Sequence, residues 1–383
     1  MIDIAAQFGP AALQLAQVLC DGGHRVWFVG GCVRNVLMGR AITDVDLTTD
    51  ALPETVSALA IAADFKAVPT GFAHGTVTVV VNGRPFEVTT LRRDLATDGR
   101  HATVAFATDI AQDAARRDFT MNALYAGPDG QVSDPIGGMP DLTARIVRFI
   151  GEPQARIAED YLRILRFFRF HAWYADPDNG IEAEGLAACA ANLDGIERLS
   201  RERIGAEMKK LLSAPDPGPA VAAMGRCGAL IHVLPGAGAA SLPVLVHVEQ
   251  VAGMTPDPIR RLAILGGEDV ADRLRLSRSE TARLERLTAA MAKEEPPHLL
   301  GHRLGIVEAM DVLALKSALS GREIDPAKAD QARFGAAQVF AVSAADLPDL
   351  QDAALGLRLR ALRAAWVASG FSLSKTALLA RDD

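Results

Sequence analysis

Two aspartates one residue apart, Asp44 and Asp46, are the side chains of this 383-residue chain with the clearest capacity for chemistry. Carboxylates side by side repel unless a cation lies between them. Hard oxygen donors of this kind suit Mg²⁺, which takes one or two carboxylates and completes its shell with substrate phosphates. A short way upstream stand Gly30 and Gly31. Glycines there let the backbone turn sharply and approach a bulky anion without Cβ interference, and the N–H groups at the start of a following helix would face the same anion. Taken singly, a D-x-D is commonly solvated surface and a Gly-Gly pair a mere turn. Together, a phosphate-holding turn beside a metal-binding pair points to chemistry on a nucleoside triphosphate.

The elements that must position these residues can be read around them. Residues 26–29, VWFV, form an apolar strand, 33–38 a short helix and 43–47 a second strand. Residues two apart on a strand share a face, so Asp44 and Asp46 are expected to project together while Val45 and Leu47 turn to the core. Helical spacing of Ala12, Leu15, Ala16 and Leu19 predicts a helix over 8–20, and Pro53 opens another over 53–63. Residues 65–68 and 75–81 read as strands. Asn82-Gly83 is a hairpin turn, with 85–90 as the returning strand.

Composition bounds the rest. Half the chain is apolar, enough for two or three domains, and alanine enrichment after about residue 180 favours helix there. A net charge of −7 gives no global nucleic-acid footprint, so RNA contact requires a local basic face. Cys20, Cys32, Cys189 and Cys227 lack zinc-site spacing and read as reduced thiols of a cytoplasmic protein. No apolar run reaches a membrane span, and the N-terminus lacks the basic region of a signal peptide.

Gly-Gly-x-Val-Arg at 30–34, followed by Asp-x-Asp at 44–46, resembles the nucleotidyltransferase head of bacterial tRNA CCA-adding enzymes and poly(A) polymerases, of the DNA polymerase beta superfamily. Asn35 departs from the Asp that the family usually has there. The second motif, RRDFTMNAL at 116–124, is similar to the family's RRDFTxNA. The resemblance implies that Gly30, Gly31, Arg34 and Arg117 hold the triphosphate. Asp118 and Asn122, four apart and on one face if helical, suit a ribose hydroxyl; an Arg–Asp ion pair is the plain alternative. Glu87 is implied as a third acidic residue beside the metal pair, helping to deprotonate the attacking 3′ hydroxyl, the alternative being a surface pair with Arg84. Residues 92–104 read as a flexible loop. The resemblance makes that loop a lever in the change from adding C to adding A, with Ala102-Thr103 departing from the usual Arg-Pro; the alternative is an ordinary mobile surface loop. Residues 134–142 form the turn out of the head, with Gly137-Gly138 as a hinge or turn.

Residues 158–170, AEDYLRILRFFRF, read as one helix placing Asp160 and Arg163 on one face, with Arg166 and Arg169 continuing the row. They resemble the family's EDxxR motif, which reads the incoming base. Cytosine and adenine both show an amino donor beside a ring-nitrogen acceptor, whereas guanine and uracil show the reverse. A carboxylate only accepts and a guanidinium only donates, so Asp160 with Arg163 fits C and A. Arg166 and Arg169 would be phosphate or structural partners, and a Glu159–Arg163 surface pair is the alternative for Arg163. Residues 197–213 form a further neck helix, where Arg201 or Arg203 could touch RNA, and Ser277 with Glu280 forms a capping box.

The expected fold is therefore α+β: a mixed-sheet nucleotidyltransferase head over 1–149, a helical nucleotide-selecting and RNA-binding neck over 150–240, and a helical body and tail over 241–383 that the resemblance assigns to tRNA binding. The expected activity is template-independent addition of C, C and A to the 3′ end of tRNA from CTP and ATP, with two Mg²⁺ ions held by Asp44 and Asp46. A poly(A) polymerase or a CC- or A-adding specialist is the alternative within the family. The TGFAHGT run at 70–76 is the short version seen in CCA-adding relatives. A catalytically silent RNA-binding relative is the alternative outside the enzymes. None of the eight histidines is followed by Asp, so no HD phosphohydrolase module is expected, nor any membrane partner.

Overall fold

The computed structural model describes residues 1–72, 75–98 and 101–381, with the backbone alone for 94–98 and 101–104. Ala73, His74, Gly99 and Arg100, which bear on two of the expectations above, lie outside the described residues. The chain divides into two units, Met1–Pro235 and Gly236–Asp383.

The first unit begins with α1 (Ile4–Phe8), which was not expected, and α2 (Pro10–Asp21), the helix expected over 8–20, which starts after Gly9 takes φ 90° and with Pro10 at a position that needs no N–H. Then follow β1 (Val26–Val29), α3 (Gly31–Leu37), β2 (Asp46–Thr49), α4 (Pro53–Ala62), β3 (Lys66–Gly71), β4 (Thr76–Val81) and β5 (Arg84–Thr90). Next come β6 (Arg92–Asp98), β7 (His101–Phe106), α5 (Ile110–Ala115), β8 (Tyr125–Ala126), β9 (Val132–Ser133) and α6 (Met139–Ala144). The sheet is mixed, in the order β3-β4-β5-β2-β1-β8-β9. Neighbours are antiparallel except β2 and β5, which run parallel with Asp46 beside Glu87. Alternation builds it: Val77, Val79 and Val81 on β4 are fully buried, as are Phe86 and Val88 on either side of exposed Glu87 on β5. Asn82 (φ 51°) and Gly83 (φ 78°) make the hairpin turn with both residues left-handed, which the twist of two-residue hairpins requires.

Two expectations about the head are corrected. Residues 92–104 are not a loop without structure: β6 and β7 pair as a two-stranded hairpin in which Thr97 faces Ala102 and Ala96 faces Thr103. The strand expected at 43–47 starts only at Asp46, so Asp44 lies in the connection ahead of it. Strand alternation is therefore not what brings the two aspartates together.

Helices complete the first unit: α7 (Pro153–Glu159), α8 (Leu162–Tyr174), α9 (Ala183–Ala191), α10 (Arg201–Leu212), α11 (Gly218–Cys227) and α12 (Ala229–Val233). The single helix expected over 158–170 is broken at Asp160, whose backbone is extended (φ −155°, ψ 106°). Its carboxylate accepts from the Leu162 N–H at 3.1 Å, a local side-chain bond made just ahead of the Tyr161 N-cap of α8, of the kind by which aspartate competes with a helix interior. An aromatic seam joins these helices to the head. Phe119 packs on Phe149 and Phe170 at 4.9 Å, and Phe149 stacks on Phe167 at 5.4 Å.

The second unit is helical throughout its described residues: α13 (Leu242–Val251), α14 (Pro258–Leu265), α15 (Val270–Arg273), α16 (Arg278–Met291), α17 (Pro297–Ser320), α18 (Pro326–Ala336), α19 (Asp352–Ala368) and α20 (Lys375–Leu379). The capping box of Ser277 and Glu280 opens α16 as predicted. Helix α17 is kinked at Gly305, where φ is 76°. Near the C-terminus Leu362, Trp366, Phe371 and Leu378 form a small core of their own. No helix among the described residues is long and apolar enough to cross a membrane.

Candidate active site

In the first unit, the turn after β1, α3, the connection into β2, the segment after α5, the length of α8 and α10 converge on one cleft of about 730 Å³. Gly30, Gly31, Arg34, Asp44, Asp46, Arg117, Asp118, Asn122, Asp160, Arg163, Arg166 and Arg169 all line it; Glu87 stands beside it as the cross-strand partner of Asp46.

Gly30 turns the chain at φ 72°, ψ −122°, a conformation that side chains rarely adopt, and a Cβ there would come within 3.2 Å of an Arg117 terminal nitrogen. Arg117 is locked from behind. Its Nε donates to the Asp113 carboxylate at 3.2 Å and to the Tyr125 hydroxyl at 3.1 Å, and Nη2 donates to Asp113 at 3.0 Å. The other terminal nitrogen is left facing the glycine turn. Burial works against this cation, but Tyr125 and Asp113 hold its pKa above the ordinary guanidinium value.

Asp46 opens onto the cleft while protein surrounds the rest of it. Burial first, then the neighbouring Glu87, push its carboxyl up to about 6; Arg117 pulls the other way and Asp44 adds to the rise. Asp44 accepts a hydrogen bond from the Thr43 hydroxyl at 3.1 Å. Among the described residues no three His, Cys, Asp or Glu side chains converge as a closed metal cage. A crowded carboxylate pair short of positive charge, open to a cleft able to take phosphates, is the donor set that suits Mg²⁺.

Asp118 and Asn122 are brought together, though not by a shared α-helical face: only Thr120–Asn122 is helical, as a single 3₁₀ turn. Asp118 Oδ1 accepts from the Phe119 N–H and from Asn122, both at 2.9 Å, and Oδ2 accepts from Arg166 Nε at 2.8 Å and Nη2 at 2.5 Å. Burial opposes ionisation here, but Arg166, Asn122 and the Phe119 N–H overcome it and hold the carboxyl well below the usual range. A carboxylate has about four acceptor positions, so Asp118 is committed, and Asn122 keeps one N–H.

Arg34 is 5% exposed. Burial lowers its pKa to about 10, despite Tyr174 and Asp118. It donates to Asn35 Oδ1 from Nε (3.1 Å) and Nη2 (2.9 Å), to the Tyr174 hydroxyl at 2.7 Å, and from Nη1 to Asn122 Oδ1. One of its five N–H groups remains for a ligand.

The expected row of Asp160, Arg163, Arg166 and Arg169 is rearranged by the break at Asp160. Arg163 donates to Glu159 at 2.5 Å and to the Arg156 carbonyl at 2.6 Å, so the Glu159–Arg163 pair does form. Asp160 is held instead by Arg203 at 2.6 Å, while Arg169 donates to Glu207 at 2.5 Å. Arg166 and Arg169 thus serve as partners of Asp118 and Glu207. Sequence reading missed Asp113, Tyr125, Tyr174 and Glu207. Asp113 was findable, four residues before Arg117 at helical ion-pair spacing; Tyr125 is brought back to Arg117 by the turn into β8, and Tyr174 and Glu207 act across long sequence separations, none of which a local pattern marks.

Residues 26–148 match the Poly A polymerase head domain family, and residues 180–240 the family described as "Probable RNA and SrmB- binding site of polymerase A". The mitochondrial CCA tRNA nucleotidyltransferase 1 of Mus musculus is 38% identical over 262 residues, 66% of this chain and 58% of the relative. The CCA-adding enzyme of Streptococcus pyogenes (strain MGAS10270) is 40% identical over 227 residues, 59% of this chain and 54% of the relative. The chain thus spans between half and two thirds of the length of these relatives. A solved structure, the Bacillus stearothermophilus CCA-adding enzyme in complex with CTP, superimposes with a TM-score of 0.77 at 28% identity, covering 99% of this chain and 97% of that one. Fold and matches together define a nucleotidyltransferase-type head followed by helices. Residues 26–148 belong to the Poly A polymerase head domain family, and the chain as a whole is similar to CCA-adding enzymes.

Proposed function

We propose that this protein is an enzyme that adds C, C and A to the 3′ end of tRNA from CTP and ATP without a nucleic-acid template. The observation that carries the reading is a single cleft lined by the glycine turn, the carboxylate pair and both Asp160 and Arg163. The similarity to the Bacillus stearothermophilus enzyme with CTP, sustained over nearly the full length of both chains, supports it.

Arg117, with its free end beside Gly30, and Arg34 offer charge and N–H groups to the triphosphate. Asn122 offers its remaining N–H to the ribose. Asp160 has taken up two acceptor positions, toward Leu162 and Arg203, and keeps about two for an incoming amino group. Arg163 uses Nη1 and one Nη2 hydrogen on Glu159, Arg156 and Arg116, leaving Nε–H and one Nη2–H to donate. Acceptor beside donor matches the Watson–Crick edges of C and A and opposes those of G and U. Asp44 and Asp46 would hold Mg²⁺, two ions being the expected number, and Glu87, the cross-strand neighbour of Asp46, would draw a proton from the attacking 3′ hydroxyl. When bound, such ions lower the pKa of that hydroxyl and neutralise the departing pyrophosphate. Four free cysteines support the cytoplasm as its compartment.

The test is incorporation of labelled CTP and ATP into tRNA lacking its 3′ CCA. CTP should be used before ATP and the product should stop at CCA. Long A tails on generic RNA with CTP ignored would identify a poly(A) polymerase, addition of CC alone a specialist, and no transfer with retained tRNA binding a silent relative; each would overturn the proposal.

A further inference from the structure

A side chain of the cleft wall reaches the connection that carries Asp44 into β2. Among the described residues, the hydrogen bond made to the backbone of residues 41–45 is donated by Asn35 Nδ2 to the Ala41 carbonyl, at 2.8 Å. The same amide accepts from Arg34 at Oδ1 through two N–H groups. Its orientation is fixed by chemistry: a guanidinium only donates and a carbonyl only accepts, so oxygen must face Arg34 and nitrogen Ala41. Asn122 repeats the arrangement further on, accepting from Arg34 and donating to Asp118, which Arg166 holds from α8. A continuous run of hydrogen bonds therefore leads from Ala41 through Asn35, Arg34, Asn122 and Asp118 to Arg166. An amide suits positions 35 and 122 because it can receive from Arg34 on one side and donate on the other. A carboxylate at 35 would keep Arg34 but set an acceptor against the Ala41 carbonyl.

We propose that Asn35 is a positioning residue that fastens the Asp44–Asp46 connection to the arginine–asparagine run lining the cleft, and so sets the two carboxylates for a divalent cation. The proposal rests on the metal role given above to Asp44 and Asp46. Groups that orient metal ligands typically change affinity about 10–100-fold when removed. Asn35 is only half-buried, so its variants should fold.

The experiment is Mn²⁺ binding to the full chain without nucleotide, followed by electron paramagnetic resonance, for the wild type, Asn35→Ala and Asn35→Asp. Both variants should bind Mn²⁺ roughly tenfold more weakly. Asn35→Asp separates the tether from charge: it preserves the Arg34 contact and adds a negative group, so simple electrostatics would tighten Mn²⁺ whereas loss of the donor to Ala41 loosens it. Thermal melts of both variants within a few degrees of wild type would exclude unfolding as the cause. Wild-type affinity in both variants, or tighter binding by Asn35→Asp, would overturn the tether alone. A wild-type chain that binds no Mn²⁺ would overturn the metal assignment and the tether with it, whatever nucleotide transfer it performs.

Discussion

In the first unit, Arg34, Arg117 and Arg166 are packed against Asn35, Asp113 and Asp118 along the wall of a cleft. In the second, Arg260 and Arg261 share Glu249, while Arg260 and Arg283 share Asp311 and Arg283 also reaches Asp257. Burial alone does not separate the two networks, since Arg34 and Arg260 are 5% and 3% exposed. Balance does. Three arginines meet three carboxylates in the second unit, a closed arrangement suited to fixing helices α13, α14, α16 and α17 against one another. Along the cleft several guanidiniums retain N–H groups, and Arg34 leans on neutral amides and a phenol. A buried cation left without full countercharge is a place for an anion to bind.

That contrast can be broken at either end. The largest effect is expected at the carboxylates facing the unfinished network: Asp44→Ala or Asp46→Ala should abolish nucleotide transfer while tRNA binding in filter assays stays near wild type. Turnover at the wild-type rate by either variant would remove them from the chemistry. In the closed network the expected loss is of stability. Glu249→Ala removes the carboxylate that two buried guanidiniums share and should cost about 3–5 kcal/mol in denaturant unfolding; a cost below about 1 kcal/mol would show that the remaining partners and water compensate.

Base selection sharpens the comparison. Sites built around hydrogen bonds reject mismatched analogues by about 10⁴–10⁵, so Asp160→Ala or Arg163→Ala should raise misincorporation of UTP and GTP relative to CTP and ATP in single-nucleotide assays. Unchanged selectivity would make both residues purely structural, like those of the second unit. A smaller effect follows from Asp46, whose folded-state pKa of about 6 exceeds its ordinary value. A carboxyl raised in this way is destabilising once ionised: the penalty is absent in acid, grows as pH rises through the folded pKa and is complete above it. Asp46→Asn should therefore raise the metal-free melting temperature slightly at pH 8 and leave it unchanged at pH 4, the gain being modest because the group opens to screening solvent. Equal shifts at both pH values would contradict the charge argument. Smallest of all, Ser277→Ala should cost about 1 kcal/mol through the cap of α16, read from chemical denaturation.

What could be read from sequence was what short-range chemistry dictates. Alternating valines gave β4, Asn82-Gly83 gave the hairpin, and Ser277 with Glu280 gave a cap. The cleft's lining was legible because the glycine turn, the carboxylate pair and the RRDFT run are each continuous. Partnership was not. Arg203 reaches Asp160 and Tyr174 reaches Arg34 across many residues, contacts that only the tertiary fold decides. Asp160 misled for another reason: leucine and arginine periodicity runs on past it, yet its own carboxylate competes for the backbone N–H of Leu162 and ends the helix.

The parallel pairing of β2 with β5 also has a consequence in time. Asp46 cannot meet Glu87 until the chain has passed through α4 and the β3–β4–β5 meander, and β1 gains its second neighbour only when Tyr125 and Ala126 arrive. On a ribosome making the chain from its amino end, the mutually repelling acids are brought side by side only after the apolar faces of β4 and β5 are available to hold them. The acids are thus set side by side after the local β4–β5 hairpin but before β8 closes on β1, and pairing over such sequence separations forms more slowly than the hairpin does.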